Sequence, residues 1–220
     1  MRSSLFAAFA AVAIATPTLG STYLAHSNFD VGYDDWRVKD TLNGNVTYFT
    51  PGWDPTGGVP AGNLVFADVT PGGYIFEAPD EFHGDFSSAV GNGGVFFDWK
   101  ADMIMDGRRP AVYFWRDGVR LMGLGEFGLA EGTWHHIDFA FDMSVDWKID
   151  YGSGAQAATL TELAWVLSDV QDMNITGETW TGIQETTWLD NPTIYGSVPA
   201  PGALALLLGA GLAARRGRRH

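Results

Sequence analysis

The sequence predicts an all-β protein: one antiparallel β-sandwich of the jelly-roll kind with one short helix, flanked by an N-terminal signal helix and a short C-terminal apolar helix. Three observations predict it. Residues 21–197 hold all nine tryptophans and many glycines. Short β-branched and aromatic runs alternate there with Gly, Pro, Asn and Asp clusters, the pattern of strands and tight turns. Only one stretch has helical spacing.

The N-terminus comes first in order. Met1-Arg2-Ser3-Ser4 precedes an apolar run from Leu5 to Ala15, then small residues, with cleavage options at Ala13-Ile14-Ala15 and Thr18-Leu19-Gly20. Charge, apolar run and small residues in that order predict a secretory signal over residues 1–20. The candidate strands are Asn45–Phe49, Asn63–Asp68, Gly73–Ala78, Gly94–Ala101, Ala111–Arg116, Val119–Leu124, Trp134–Phe141, Met173–Glu178 and Asn191–Tyr195. Arg116-Asp117-Gly118 reads as the turn of a hairpin. In Trp134–Phe141, residues Ile137, Phe139 and Phe141 share one face, and His136 and Asp138 the other. The stretch Thr159–Val170 opens with Thr159 and Glu162 at capping-box spacing. Leu160, Leu163, Ala164 and Leu167 follow at helical spacing, which predicts the helix. Residues 198–220 form a third segment: Val198-Pro199-Ala200-Pro201, an apolar run of 13 residues from Gly202 to Ala214, and arginines 215, 216, 218 and 219. A stable span needs about 20 apolar residues, so this run suits a thin anchor or a sorting signal. Its arginines favour the cytoplasmic side of a membrane. Membrane contact is expected through the terminal segments alone.

Charge narrows the partners. Five of the 13 basic residues, all arginine, lie in the two ends, and none of the 26 acids does. The segment 21–197 therefore has 8 basic against 26 acidic residues, a net of −18. That argues against nucleic acid and anionic lipid as partners, which need a basic face. The chain has no cysteine, so disulfides, thiol nucleophiles and cysteine-type zinc sites are excluded.

Several clusters invite a chemical reading. Asp80, Glu81, His83 and Asp85 fall within six residues; the alternative is a loop whose Gly84 and Asp85 supply turn geometry. His135, His136 and Asp138 have no G-x-S-x-G nucleophile to serve and read as surface strand residues. Asp34/Asp35 and Glu77/Asp98 are carboxylate pairs that would need to face each other across a cleft to cleave a glycoside. Trp53, placed in a loop by its Pro- and Gly-rich surroundings, and Trp115 and Trp180 are candidate platforms for sugar rings. Most sandwich tryptophans are core. Asn45-Val46-Thr47 and Asn174-Ile175-Thr176 match the glycosylation sequon.

Two resemblances complete the reading. The tail Val198–His220 resembles the PEP-CTERM sorting signals of bacteria: a proline-containing motif, an apolar helix and a terminal arginine cluster. That implies a membrane sorting protease as a partner at the tail. The ordered set Ala78-Pro79, Phe82-His83-Gly84-Asp85, Ser87-Ser88-Ala89, Gly93-Gly94, Phe96-Phe97-Asp98-Trp99, "TWHHIDFAF" and "TTWLDNPTIYG" resembles the laminin B (laminin IV type A) domain. The resemblance implies a galactose-binding-like jelly roll without enzymatic activity, in an exported extracellular or cell-surface protein. The expected function is binding or organising extracellular polysaccharide or matrix. The alternatives are a glycan-cleaving hydrolase on the same scaffold and a purely structural surface protein. Ser27–Val38 resembles the opening strand of carbohydrate-binding jelly rolls and Trp188–Pro192 their closing strand. In those modules the two strands pair and often hold a structural Ca²⁺, which implies Asp30 and Asp190 as metal ligands.

Overall fold

In the computed structural model the described residues are 20–105, 108–179 and 182–198. All but the last residue of the expected signal (1–20) and all but the first of the sorting segment (198–220) lie outside them, as does Trp180. The strands are β1 (Gly20–His26), β2 (Arg37–Leu42), β3 (Asn45–Phe49), β4 (Gly52–Asp54), β5 (Asn63–Ala67), β6 (Gly73–Glu77), β7 (Gly94–Ala101), β8 (Ala111–Arg116), β9 (Val119–Leu124), β10 (His135–Ala140), β11 (Lys148–Asp150), β12 (Ala155–Ala157), β13 (Asp172–Thr176) and β14 (Thr186–Val198), with one α-helix, α1 (Leu160–Leu167). They build an antiparallel sandwich. One sheet runs β10-β7-β14-β5-β4, with β1 also on β14; the other runs β12-β11-β9-β8-β13-β6-β2-β3.

Alternation makes the core. In β7, Val95, Phe97, Trp99 and Ala101 are buried in the interior, while Phe96, Asp98 and Lys100 point outward. The opposite sheet answers with Val38, Tyr74, Phe76, Val112, Phe114, Leu121, Met173 and Ile175. A buried indole N–H needs an acceptor, and three of them find one. Trp99 Nε1 donates to Thr176 O at 3.1 Å, Trp36 Nε1 to Ser27 Oγ at 3.0 Å and Trp147 Nε1 to Ala140 O at 2.9 Å. Helix α1 contributes Leu163, Val166 and Leu167 to the core. Its capping box forms as the sequence predicts: Thr159 Oγ1 accepts from Glu162 N, and Glu162 Oε2 accepts from Thr159 N. The Asp117-Gly118 hairpin joins β8 to β9, with positive φ of 50° and 76°, the geometry its turn residues favour.

Three expectations change. The opening strand is Gly20–His26; Ser27–Trp36 is a turn segment in which Phe29, Asp34 and Asp35 all take positive φ. The closing strand covers Thr186–Val198, more than twice the predicted Asn191–Tyr195. It runs through a register shift between Asp190 and Thr193, where Asn191 has φ 52°. Trp53 lies in the short edge strand β4, paired with Leu64, rather than in a loop. The first strand does pair with the last, β1 on β14, but through Gly20–His26 rather than the expected Ser27–Val38. Among the described residues no helix is long and apolar enough to cross a membrane.

Candidate functional site

The fold separates most clusters that are close in sequence. Asp80 and Glu81 are exposed on a short 3₁₀ turn that buries Phe82. Glu81 Oε1 accepts from Ser27 Oγ at 3.1 Å, and Asp85 Oδ1 accepts from the N–H and hydroxyl of Ser87. His83 Nδ1 is 3.5 Å from Asp80. This stretch lines the rim of a cavity of about 600 Å³ together with Tyr33, Trp36 and Arg37, but its acids turn to separate partners. Glu77 and Asp98 leave opposite sheets on outward faces, so no cleft lies between them. Glu77 pairs with Arg37 and Lys39. Asp98 Oδ1 lies 2.9 Å from His136 Nδ1. Asp34 and Asp35 are turn residues.

Asp30 and Asp190 lie within electrostatic reach of each other. Burial raises the Asp190 carboxyl to about 6, and the charges of Asp98 and Asp30 add to the shift. Asp190 itself is fully buried and clamps a loop: Oδ2 accepts from Val59 N at 2.6 Å and Oδ1 from Asn191 N at 2.8 Å. Asp30 is exposed and accepts from Asn28 Nδ2 at 2.6 Å.

A second acidic group escaped the sequence reading. Asp68, Glu178 and Glu185 are all buried, and each offers a carboxylate oxygen within 4.8 Å of the others. Asp68 follows β5 and keeps the inward parity of Leu64 and Phe66. Glu185 precedes β14 and keeps that of Thr187 and Leu189. An acid on an inward position is the local signal that could have found two of the three. Glu178 N donates to Tyr74 O at 2.9 Å, Asp68 N to Glu185 O at 2.8 Å, and Thr179 N to Glu185 Oε1 at 3.0 Å. Ionised carboxylates this close repel by on the order of 3 kcal/mol per pair at an effective dielectric near 20. Burial, with Asp40 nearby, pushes the Asp68 carboxyl up. The Tyr74 phenol is pushed up by burial and then by Glu185, Glu178 and Asp68. An all-oxygen set of this kind could coordinate a metal ion, as the expectation of one structural cation requires.

The aromatic candidates divide by face. Trp53 is 39% exposed at the sheet edge, and its indole N–H donates to Phe29 O at 2.6 Å. On the six-stranded sheet, Trp134 and Trp188 each give a ring face to Lys100, at 4.8 and 4.1 Å. Phe96 packs with His136 and Tyr195, at 5.1 and 5.8 Å between centroids. On the outer face of the eight-stranded sheet, Tyr113 and Trp115 stand two residues apart on β8, both half-buried. The Arg120 guanidinium lies 5.7 and 5.5 Å from their ring centres, and Asp150 holds it at 2.9 Å. Across the ladder on β13, Asp172 pairs with Trp115 and Asn174 with Tyr113. Lys39 Nζ is 3.2 Å from Glu77 and 3.6 Å from Asp172. Asn174 is fully buried, and neither its amide nitrogen nor its amide oxygen has a hydrogen-bond partner. Its sequon is therefore closed to a glycosylating enzyme in the folded protein.

No family model matches the chain, and no curated protein matches it. Among solved structures, it is similar to the L4b domain of human laminin alpha-2, with 12% identity and a TM-score of 0.48 over 80% of this chain and 99% of that one. It is also similar to the family 30 carbohydrate-binding module of the cellulosomal cellulase Cel9D-Cel44B of Clostridium thermocellum, with 13% identity and a TM-score of 0.41 over 81% and 92%. A third similarity is to a β-1,2-glucanase from Parabacteroides distasonis, with 12% identity and a TM-score of 0.35, over 83% of this chain and 24% of that chain. These likenesses are weak, and function is read from this chain's own residues.

Proposed function

We propose that this domain is a non-catalytic module that binds polysaccharide on the outer face of its eight-stranded sheet. The observation that carries the reading is the Tyr113–Trp115 pair beside Arg120, Asp172 and Asn174. Residues two apart on a strand are separated by about 6.7 Å, so the two rings offer adjacent flat surfaces to successive sugars. Sugar C–H faces shed water against aromatic rings, and a few convergent polar groups fix orientation. The Arg120 guanidinium and the Asp172 carboxylate serve as those groups, with the Asn174 amide beneath them. Asn174 is fully buried, so a water enclosed beneath the rings, rather than the sugar itself, gives that amide the partners a buried polar group requires. The separation of Glu77 from Asp98 to opposite faces supports a binding role over glycan cleavage.

On this proposal the termini supply the address: residues 1–20 export the domain, and residues 198–220 are read by a sorting protease at the membrane. The order of charge, apolar run and small residues supports the first. The Pro-containing motif with its arginine end supports the second. The domain then works outside the cell, at the surface or in the matrix.

Affinity electrophoresis of the full chain through gels containing soluble polysaccharides, in calcium buffer, tests the reading. At least one polysaccharide retards the protein. Trp115→Ala weakens that retardation by roughly tenfold or more, the scale of an aromatic anchor, while Phe96→Ala on the other sheet leaves it unchanged. Retardation that survives Trp115→Ala, or that is lost equally with Phe96→Ala, overturns it.

A further inference from the structure

We infer that Asp68, Glu178 and Glu185 bind one divalent cation of the calcium class, which joins the ends of β5, β13 and β14. The inference stands apart from the polysaccharide reading, because it concerns the sandwich interior and not the sheet's outer face.

The donors come from three separated segments, yet offer oxygens within 4.8 Å of one another. A second observation points to a ligand. Asp68 is only 2% exposed, and its Oδ1 accepts from Thr70 N at 3.0 Å, but its Oδ2 takes no hydrogen bond. Beside it, Asp40, also 2% exposed, gives Oδ2 to the Thr70 hydroxyl and leaves Oδ1 bare. Buried carboxylate oxygens are satisfied by donors or by cations. Thr70 serves both acids, with one group for each, and Asp68 keeps an oxygen for the cation.

The chemistry selects the ion. Three carboxylates with no imidazole or thiolate suit a hard cation rather than zinc or copper. Calcium takes six to eight oxygens, so carboxylates binding through one or both oxygens are completed by backbone carbonyls or water. The charge it brings also relieves repulsion among groups that the fold holds together. A cation that binds only the folded form adds stability by mass action.

The test uses the full chain freed of metal with chelator. Thermal unfolding is followed with no metal, with calcium and with magnesium. At a calcium concentration about 100 times Kd, Tm rises by roughly 5–10 °C. The rise is lost in Asp68→Asn and in Glu185→Gln, and is kept in Asp30→Asn. A readout on the unmutated protein covers the case in which a variant fails to fold. Manganese broadens the nuclear resonances of Asp68, Tyr74 and Thr187 before others, and calcium restores them. No calcium-dependent shift in Tm, a shift untouched by Asp68→Asn and Glu185→Gln, or broadening centred on Asp30 and Asp190 overturns the inference.

Discussion

Replacing Asp190 with asparagine removes a charge that the fold holds at a disadvantage. The carboxyl rises from 3.8 to about 6, chiefly because it is buried, with Asp98 and Asp30 adding repulsion. A shift of about two units corresponds to about 3 kcal/mol. The sign follows from proton counting. Between pH 6 and pH 4 the native form holds a proton that the unfolded form has released, so stability rises as pH falls through this window. The contribution is fully present below 3.8 and is lost above 6. Asp190→Asn mimics the protonated group and should show a flatter stability profile between pH 7 and pH 4. It gives up one acceptor to Val59 N, a cost of about 1 kcal/mol that does not depend on pH. Urea unfolding of both proteins at pH 4, 5, 6 and 7 in chelator measures the difference. Asp68 is raised in the same direction but is present in both proteins, so the difference profile belongs to Asp190. Parallel wild-type and variant profiles would refute the reasoning.

Two further outcomes are expected. Trp36→Ala should cost about 3–5 kcal/mol in urea unfolding, because a fully buried indole edge-on to Phe29 and Phe82 leaves a large cavity. Thr159→Ala should cost about 1 kcal/mol by removing the helix cap, and serine at that position should recover most of it.

The strands that could be read from sequence are those where alternation and turn chemistry agree. β7, β8 and β9 appear with their predicted bounds because apolar residues fall on every second position and Asp117-Gly118 marks the hairpin. β2 was hidden although Asn43-Gly44, with φ of 50° and 79°, marks its turn into β3. Its inward positions hold Val38 and Asp40 and its outward ones Arg37, Lys39 and Thr41, so no apolar pattern emerges. β11 and β12 have three residues each, too few to show a period. At β14, Asn191-Pro192 reads as a break, but the strand absorbs it as a register shift and continues. Among site residues, Trp115 was visible as an aromatic but not as the neighbour of Tyr113, Arg120 and Asp172, since strand order decides that. The acidic trio was invisible for the same reason: Asp68 and Glu185 meet because β5 and β14 pair. Trp53 resembles a loop aromatic by composition, and only pairing with Leu64 reveals the edge strand.

The position of β14 constrains how the chain can come together over time. Among the described residues β14 is the last strand made, yet it is the partner of β1, β5 and β7. Before Thr186 emerges, the six-stranded sheet exists only as two separate ribbons, β4 with β5 and β7 with β10, while β1 waits without a neighbour. A two-stranded ribbon is marginal in water, and joining these pieces closes loops spanning most of the domain, which slows folding. A growing chain is therefore unable to complete this sheet early. Premature termination anywhere before β14 leaves unpaired strand edges rather than a smaller stable domain, and such products are candidates for aggregation and proteolytic clearance.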